Sequence, residues 1–372
     1  MSGLYLAADD LTGALDSAVP FCGEFGPIPV FLGAPHDDRG PHAAVDLATR
    51  DASSEFAMLS VAHIAHRMAT ADIAYKKIDS LLRGHWAIEL AGLMKAMAFR
   101  LCIFAPAFPS QGRTTRLGRQ IVRATDGSLS AIVPVDPVEA LGRLGLRVVR
   151  AAVPDSANPD ALTIENDVVI FDVATDDDLR SIVRWGSRLN KPLLWCGSGG
   201  LARALAQHEA PRTAAIQKPV LAIIGTDHVV SKTQIAHAVA RGATCQIVIG
   251  NDIAGDAATI TDAFERMGSC LVTFAFPDGT LPEDAAACID DKLGALLRQI
   301  PRPSTLLVSG GKTLLSVCRA VGASYLDVDA EFGPGVPRSR LRAGRWDGVG
   351  IVSKSGGFGH PQWLAEMISA AH

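Results

Sequence analysis

The sequence predicts an α/β protein of two domains, each a mostly parallel sheet with flanking helices, which would place an active site in the inter-domain cleft. Three observations lead there. Short apolar runs alternate with longer amphipathic stretches along the whole chain, the rhythm of βαβ units. The length, 372 residues, suits two domains of ordinary size. One polar stretch, Glu209–Pro219, carries two prolines, follows a helical pattern that has run out, and is followed at once by a fresh apolar run. The expected division is therefore residues 1–210, a linker over 211–219, and residues 220–372.

Strands are predicted at Leu4–Ala8, Ile28–Leu32, Leu101–Ala105, Val168–Val173, Leu193–Cys196, Val220–Gly225, Gln246–Ile249, Thr305–Val308 and Gly348–Val352. Helices are predicted at His85–Phe99, Thr175–Leu189, Leu201–His208 and Leu314–Ala320. Ligands of such sheets sit beyond the carboxyl ends of the strands, so the residues just after each strand matter most.

Composition narrows the function. Hydrophobic residues make up 48% and charged residues 20%, an ordinary globular balance. A net charge of −4 and 6% aromatics give no footprint for nucleic acid. A small anion remains compatible, because a few arginines in one cleft outweigh a mildly acidic surface. Seven scattered cysteines without a CxxC pair read as reduced thiols of a cytoplasmic protein, with no zinc spacing. Met1 to Asp10 does not read as a signal peptide, and no apolar run reaches the length of a membrane span.

The first strand runs into Asp9-Asp10-Leu11-Thr12-Gly13-Ala14. Helix capping explains one of the two carboxylates; the second suits substrate hydroxyls, a metal or proton transfer. Lys76-Lys77-Ile78-Asp79-Ser80-Leu81-Leu82-Arg83-Gly84-His85 is either a solvated turn or a site pinned by its apolar residues. In the second case Arg83 offers a planar fork to a carboxylate, and Lys77 and Asp79 orient hydroxyls. Pro106 to Thr115 is a stiff polar loop after a strand, structural or binding. Gly197-Ser198-Gly199-Gly200-Leu201-Ala202 fits the relaxed dinucleotide fingerprint, but no strand ends in an acid about 20 residues later.

Two glycine loops stand at strand ends in the second half. Ser309-Gly310-Gly311-Lys312-Thr313 opens a helix, where backbone N–H groups suit phosphate oxygens. Its Gly-Lys-Thr resembles the end of a P-loop, although the first P-loop glycine would fall at Leu306. Lys354-Ser355-Gly356-Gly357-Phe358-Gly359 is the second loop, and Glu331 to Pro337 reads as a stiff turn-rich connector. His228 follows the strand Val220–Gly225 and either faces the same cleft or is incidental.

Taken in order, these segments resemble the four-carbon acid sugar kinase family. The matching stretches are Ala8–Ala14, Lys77–Gly84, Ala105–Pro109 with Gly112–Thr115, Gly197–Ala202, Pro334–Pro337 and Lys354–Gly359. The resemblance implies a sugar-acid-binding N-terminal domain and a nucleotide-binding C-terminal domain. It implies ATP-dependent phosphorylation of threonate, erythronate or an oxo-tetronate, usually at the C4 hydroxyl, with Mg²⁺ bridging phosphate oxygens. It puts substrate contacts at Asp9, Arg50, Lys77, Asp79, Ser80, Arg83 and Gly84, and nucleotide contacts at His228, Gly310, Gly311, Lys312, Thr313, Gly356 and Gly357. Asp9 or Asp10 would accept the hydroxyl proton, and no residue is assigned as a protein metal ligand. Partners are the sugar acid and ATP, with a homodimer expected from base rates.

The chain departs from the family pattern in three places. Lys312 stands where an aspartate is usual, Gly225-Thr226-Asp227-His228 replaces a serine-rich turn, and Gly127–Gly142 is shortened. The Lys312 and His228 departures leave open a non-catalytic sugar-acid-binding or regulatory homologue. A dehydrogenase built on Gly197–Ala202 is the other alternative.

Overall fold

The structure, a computed structural model, describes residues 3–33, 40–96, 99–123, 129–154, 167–189, 192–213, 215–277 and 279–371. The chain divides into two compact units, Met1–Ala210 and Pro211–His372.

Strands are numbered in chain order. In the first unit they are β1 (Leu4–Ala8), β2 (Ile28–Leu32), β3 (His42–Asp46), β4 (Ile73–Lys77), β5 (Leu101–Ala105), β6 (Arg113–Arg116), β7 (Arg119–Arg123), β8 (Leu129–Ile132), β9 (Val148–Ala151), β10 (Val168–Phe171) and β11 (Leu193–Gly197). Its main sheet runs β2-β3-β1-β4-β11-β5-β10-β9, with every neighbour parallel. Strands buried on both faces read as continuous apolar runs, as Leu4–Ala8 and Leu101–Ala105 do. The register makes Ala8 level with Asp46 on one side and Lys77 on the other, and Lys77 level with Gly197. Chain order departs from β1 in both directions, which makes these carboxyl ends a switch point, the place where sheets of this kind bind ligands.

The second unit holds β12 (Val220–Ile224), β13 (Cys245–Ile249), β14 (Ser269–Phe274), β15 (Thr305–Ser309), β16 (Tyr325–Gly333), β17 (Val336–Arg342) and β18 (Gly350–Lys354), in the order β13-β14-β12-β15-β18-β17-β16. The first five of that order are parallel, and β16, β17 and β18 pair antiparallel. Ile224, Ser309 and Lys354 end level across β12, β15 and β18. The switch point lies at β12, between β14 and β15.

Several sequence expectations change in the structure. The connector Glu331–Pro337 is the tip of the β16–β17 hairpin, turned by Gly335 at φ 79. The polar loop before Thr115 passes through a 3₁₀ turn into β6, which opens a separate antiparallel sheet β6-β7-β8. The helix expected over His85–Phe99 runs Trp86–Ala96, and residues 97–98 lie outside the described residues. So do the first two residues of the shortened segment 127–142, and residue 214 of the stretch read as linker. That stretch is bonded into the second unit: Glu331 N–H donates to Pro211 O at 2.9 Å, and Gln217 N–H to Thr305 Oγ1 at 3.1 Å.

None of the seven cysteines forms a disulfide. Among the described residues no helix is long and apolar enough to cross a membrane.

Candidate active site

The carboxyl end of β1 feeds the helix Leu11–Ala18, and Asp10 caps it: its Oδ1 accepts from Gly13 N–H at 2.9 Å and its Oδ2 from Thr12 Oγ1 at 2.9 Å. Arg50 crosses from the loop after β3, where Thr49 and Arg50 N–H groups both donate to Asp9 O at 3.1 Å. Its Nε and Nη2 hold the two Asp9 oxygens at 2.9 and 2.8 Å, and its Nη2 and Nη1 hold the two Asp10 oxygens. Four of the five guanidinium N–H groups are therefore committed. Asp9 has no exposed side-chain surface, whereas 21% of the Asp10 side chain is exposed. Burial pushes the Asp9 carboxyl up, but Arg50, Lys77 and Lys76 outweigh it and hold it below the ordinary value.

The Lys76–His85 segment is not a solvated turn. Lys76, Lys77 and Asp79 are buried. Lys76 pairs with Glu89 at 2.8 Å, both side chains fully enclosed, and Glu89 also accepts from Thr49 Oγ1 beside Arg50. Lys77 Nζ donates to Ile78 O at 2.9 Å and lies close to Asp10 across Gly13, where an added Cβ would meet both. Asp79 accepts a fork from Arg83, 2.7 Å from Nε and 2.8 Å from Nη2, while Arg50 Nη2 stands 3.9 Å away. Burial pushes Asp79 up, and Arg83, Arg50 and Lys77 bring it well below the carboxylate range. Leu82 and Gly84 take positive φ to close this turn, and a Cβ at Gly84 would meet the Arg50 backbone at 3.1 Å. Ser80 contributes its carbonyl, which accepts from Gln120 Nε2 at 2.8 Å.

Two side chains left unassigned by the sequence reading join this cluster. Arg113, in β6, has a buried Nε with no hydrogen-bond partner. Burial and the neighbouring Arg83 lower its pKa, against Asp79. The signal was its place directly after Gly112 in a stiffened loop. Asp46, at the end of β3, accepts from Ala48 N–H at 2.8 Å, and burial pushes it up to about 7. No sequence pattern marks it.

In the second unit, the loops after β12, β14 and β15 enclose a cavity of about 830 Å³, whose wall includes Gly225, Thr226, Asp227, Thr273, Gly310, Gly311, Lys312 and Thr313. That is the size of a small-molecule site. Gly310 takes φ 105, which permits the helix Gly311–Val321 to start with its N–H groups bare of a side-chain cap. A Cβ added at Gly225 would strike Thr313 Oγ1 at 2.3 Å, and one added at Gly356 would strike Thr226 Oγ1 at 2.7 Å, so the loops after β12, β15 and β18 pack backbone to side chain. His228 caps the helix Val229–Ala240 through Nδ1, 3.2 Å from Val230 N, and stands against Gly357. Neither His228 nor Gly356–Gly357 is on the cavity wall; they buttress Thr226, which is. Among the described residues Asp227 is the one carboxylate on the wall, and no cluster of three metal-ligating side chains occurs.

One α/β unit with a carboxylate–guanidinium cluster and a second with a glycine-walled cavity make this a two-domain α/β protein, and the family models say of which class. Residues 4–205 match the family model of a sugar-binding N-terminal domain, and residues 221–364 that of a nucleotide-binding C-terminal domain. The chain belongs to the four-carbon acid sugar kinase family. It is 30% identical over 400 residues to a protein of Cupriavidus necator named D-threonate kinase, covering 95% of this chain and 94% of that one. It is 24% identical over 412 residues to a protein of Heliobacterium modesticaldum named D-erythronate kinase, covering 96% and 94%. The fold matches that of a Haemophilus influenzae protein with a TM-score of 0.71 and 16% identity, covering 98% of this chain and 99% of that one.

Proposed function

We propose that this chain is an ATP-dependent kinase that phosphorylates a four-carbon sugar acid, threonate or erythronate, at its C4 hydroxyl. The observation that carries the reading is the division of one chain into a guanidinium-rich polar cluster and a glycine-walled cavity. The names of the relatives support the substrate class.

Arg83 and Arg113 receive the substrate carboxylate. Arg50 is committed to Asp9 and Asp10, whereas Arg83 keeps three N–H groups beyond its Asp79 pair and the Arg113 guanidinium donates to the Gln111 carbonyl rather than to a carboxylate. Asp10 and Lys77 meet the hydroxyls at the other end. As the bond from the acceptor oxygen to the γ-phosphorus forms and the bond to ADP breaks, the hydroxyl proton passes to Asp10. Asp9 keeps Arg50, and through it Asp10, in place. Phosphoryl transfer asks chiefly for positioning and charge neutralisation, and these residues supply the first for the acceptor.

The cavity suits ATP, with the Gly310–Thr313 N–H groups on its phosphates. Mg²⁺ fits a wall of this kind, because it binds through phosphates, waters and one or two carboxylates. Asp227 would hold it, and it would neutralise phosphate charge. This reading keeps the enzyme in the cytosol, where ATP is supplied.

A coupled ADP-release assay over the stereoisomeric four-carbon acids, with and without Mg²⁺, tests the proposal. ADP release that requires one of these acids and Mg²⁺, with ³¹P coupling to the C4 methylene protons of the product, is the expected result. No acid-dependent ADP release from any of them would overturn it.

A further inference from the structure

The second unit contains a buried cation that no carboxylate meets among the described residues. Lys354 ends β18 and is 1% exposed. Its ammonium donates to Ser309 Oγ at 3.0 Å, to Ser355 O at 3.3 Å and to Ser231 Oγ at 3.5 Å, and lies 5.4 Å from the centre of the Trp363 ring. No carboxylate pairs with it among the described residues. An ammonium taken out of water with only neutral partners is costly to hold, and proteins ordinarily pair such a charge or leave it neutral.

Its neighbours locate the missing charge. Ser309 is the residue before Gly310, at the entrance to the loop that opens the helix Gly311–Val321. Ser231 Oγ also approaches Ser309 Oγ at 3.2 Å and donates to Gly356 O at 2.9 Å. The ammonium thus sits beneath the junction of two glycine loops and ties both to the helix Val229–Ala240. We propose that Lys354 is a positioning residue for the nucleotide: its buried charge is balanced by the terminal phosphates of the bound nucleotide, and its hydrogen bonds fix the loops that receive them. The inference rests on the reading that these loops hold nucleotide phosphates. It assigns Lys354 no contact with the ligand, because its ammonium is covered.

One consequence is a proton linkage. Burial lowers the Lys354 pKa to about 8. The charged or titratable groups on the surrounding elements include Asp227, His228, Lys232, His237, Lys312, Arg338, His360 and Glu366, and the ammonium's hydrogen bonds go to Ser309, Ser355 and Ser231 instead. A phosphate arriving nearby raises that pKa, so the protein takes up a proton on binding near pH 8 to 9. Free ADP has already released its last phosphate proton there, its pKa lying near about 6.

The test is calorimetry at pH 8.5 on the intact protein, with ADP and with adenosine, in two buffers of different ionisation enthalpy. Wild type is expected to take up a fraction of a proton with ADP and none with adenosine. Lys354→Met is expected to lose that uptake and to bind ADP at least about tenfold more weakly, with adenosine affinity unchanged within about twofold. Lys354→Arg is expected to recover part of the ADP affinity. ADP affinity unchanged in Lys354→Met, or no proton uptake by wild type that binds ADP, overturns the inference. The wild-type measurement decides the matter alone if the variant does not fold. Failure of wild type to bind either ligand would instead overturn the nucleotide reading itself.

Discussion

Under the proposed function, the two ligand seats solve opposite problems. In the first unit, side chains do the recognising: Asp9, Asp10 and Asp79 face Arg50, Lys77, Arg83 and Arg113, and most of these charges hold one another in place. In the second unit the backbone does it, with glycines at the loop ends and one covered ammonium beneath them. A polyhydroxy acid differs from its relatives by the placing of hydroxyls, so a rigid, charged lattice can discriminate among them. Phosphate groups are alike in every nucleotide, and N–H groups at a helix start serve all of them. The first seat is thus the one in which single substitutions should be most damaging.

Arg50→Ala gives the largest expected effect. It leaves Asp9, fully enclosed, without its counter-ion, at a stability loss of about 3–5 kcal/mol. Turnover should fall at least about 10³-fold, since Asp10 loses its charged partner and keeps only its capping bonds. Urea unfolding and steady-state kinetics check both parts. An unfolding midpoint near wild type would show that the lattice does not depend on this residue. Lys76→Met should destabilise by a similar amount, whereas Lys76→Met with Glu89→Leu should recover most of the loss, as the buried pair is replaced by apolar contact. Non-recovery in that double variant would mean that Glu89 is needed for Thr49.

Gly225→Ala tests the second seat. Its Cβ would stand 2.3 Å from Thr313 Oγ1, so the cavity wall must shift at about 1–3 kcal/mol. Nucleotide affinity should fall while acid affinity holds. Equal loss of both ligands would break the division of labour.

A pH dependence is also expected. The Asp46 carboxyl is raised by burial to about 7 from an ordinary value of 3.8, so its neutral form is favoured in the folded chain. The sign follows: between these values the native state binds more protons than the unfolded one, and stability falls as pH rises from about 4 to about 7, by on the order of 4 kcal/mol at most. Asp46→Asn should therefore gain on wild type in denaturant midpoint at pH 8 relative to pH 5. A constant gap across that range would remove Asp46 as the source.

Much of this fold is legible from periodicity. Leu4–Ala8 and Leu101–Ala105 begin and end where their apolar runs do, because the sheet buries them on both faces, and Ile28–Leu32 does so although Pro29 and Leu32 are only half-buried. β4 is the instructive miss. Ile73–Lys77 ends in two lysines, which read as the edge of a polar turn, yet both are buried because Glu89 and Asp9 come to them from distant elements. β3 hides the same way behind His42 and Asp46, the ends of a run of only three apolar residues. At the site, residue types and order were readable from the strand ends. Their pairing was not: nothing local says that Arg50 is committed to two aspartates while Arg113 is not, and nothing local says that Lys354 is covered.

The most direct measurement of the account is the separate calorimetric titration of D-threonate, D-erythronate and ADP into wild type and into the Arg83→Gln, Arg113→Gln double variant. Wild type should bind ADP and one of the acids. The variant should lose at least about a hundredfold in affinity for that acid, the loss of two charge-assisted contacts, and keep its ADP affinity. Undiminished acid binding in the variant, or parallel loss of both ligands, would contradict it.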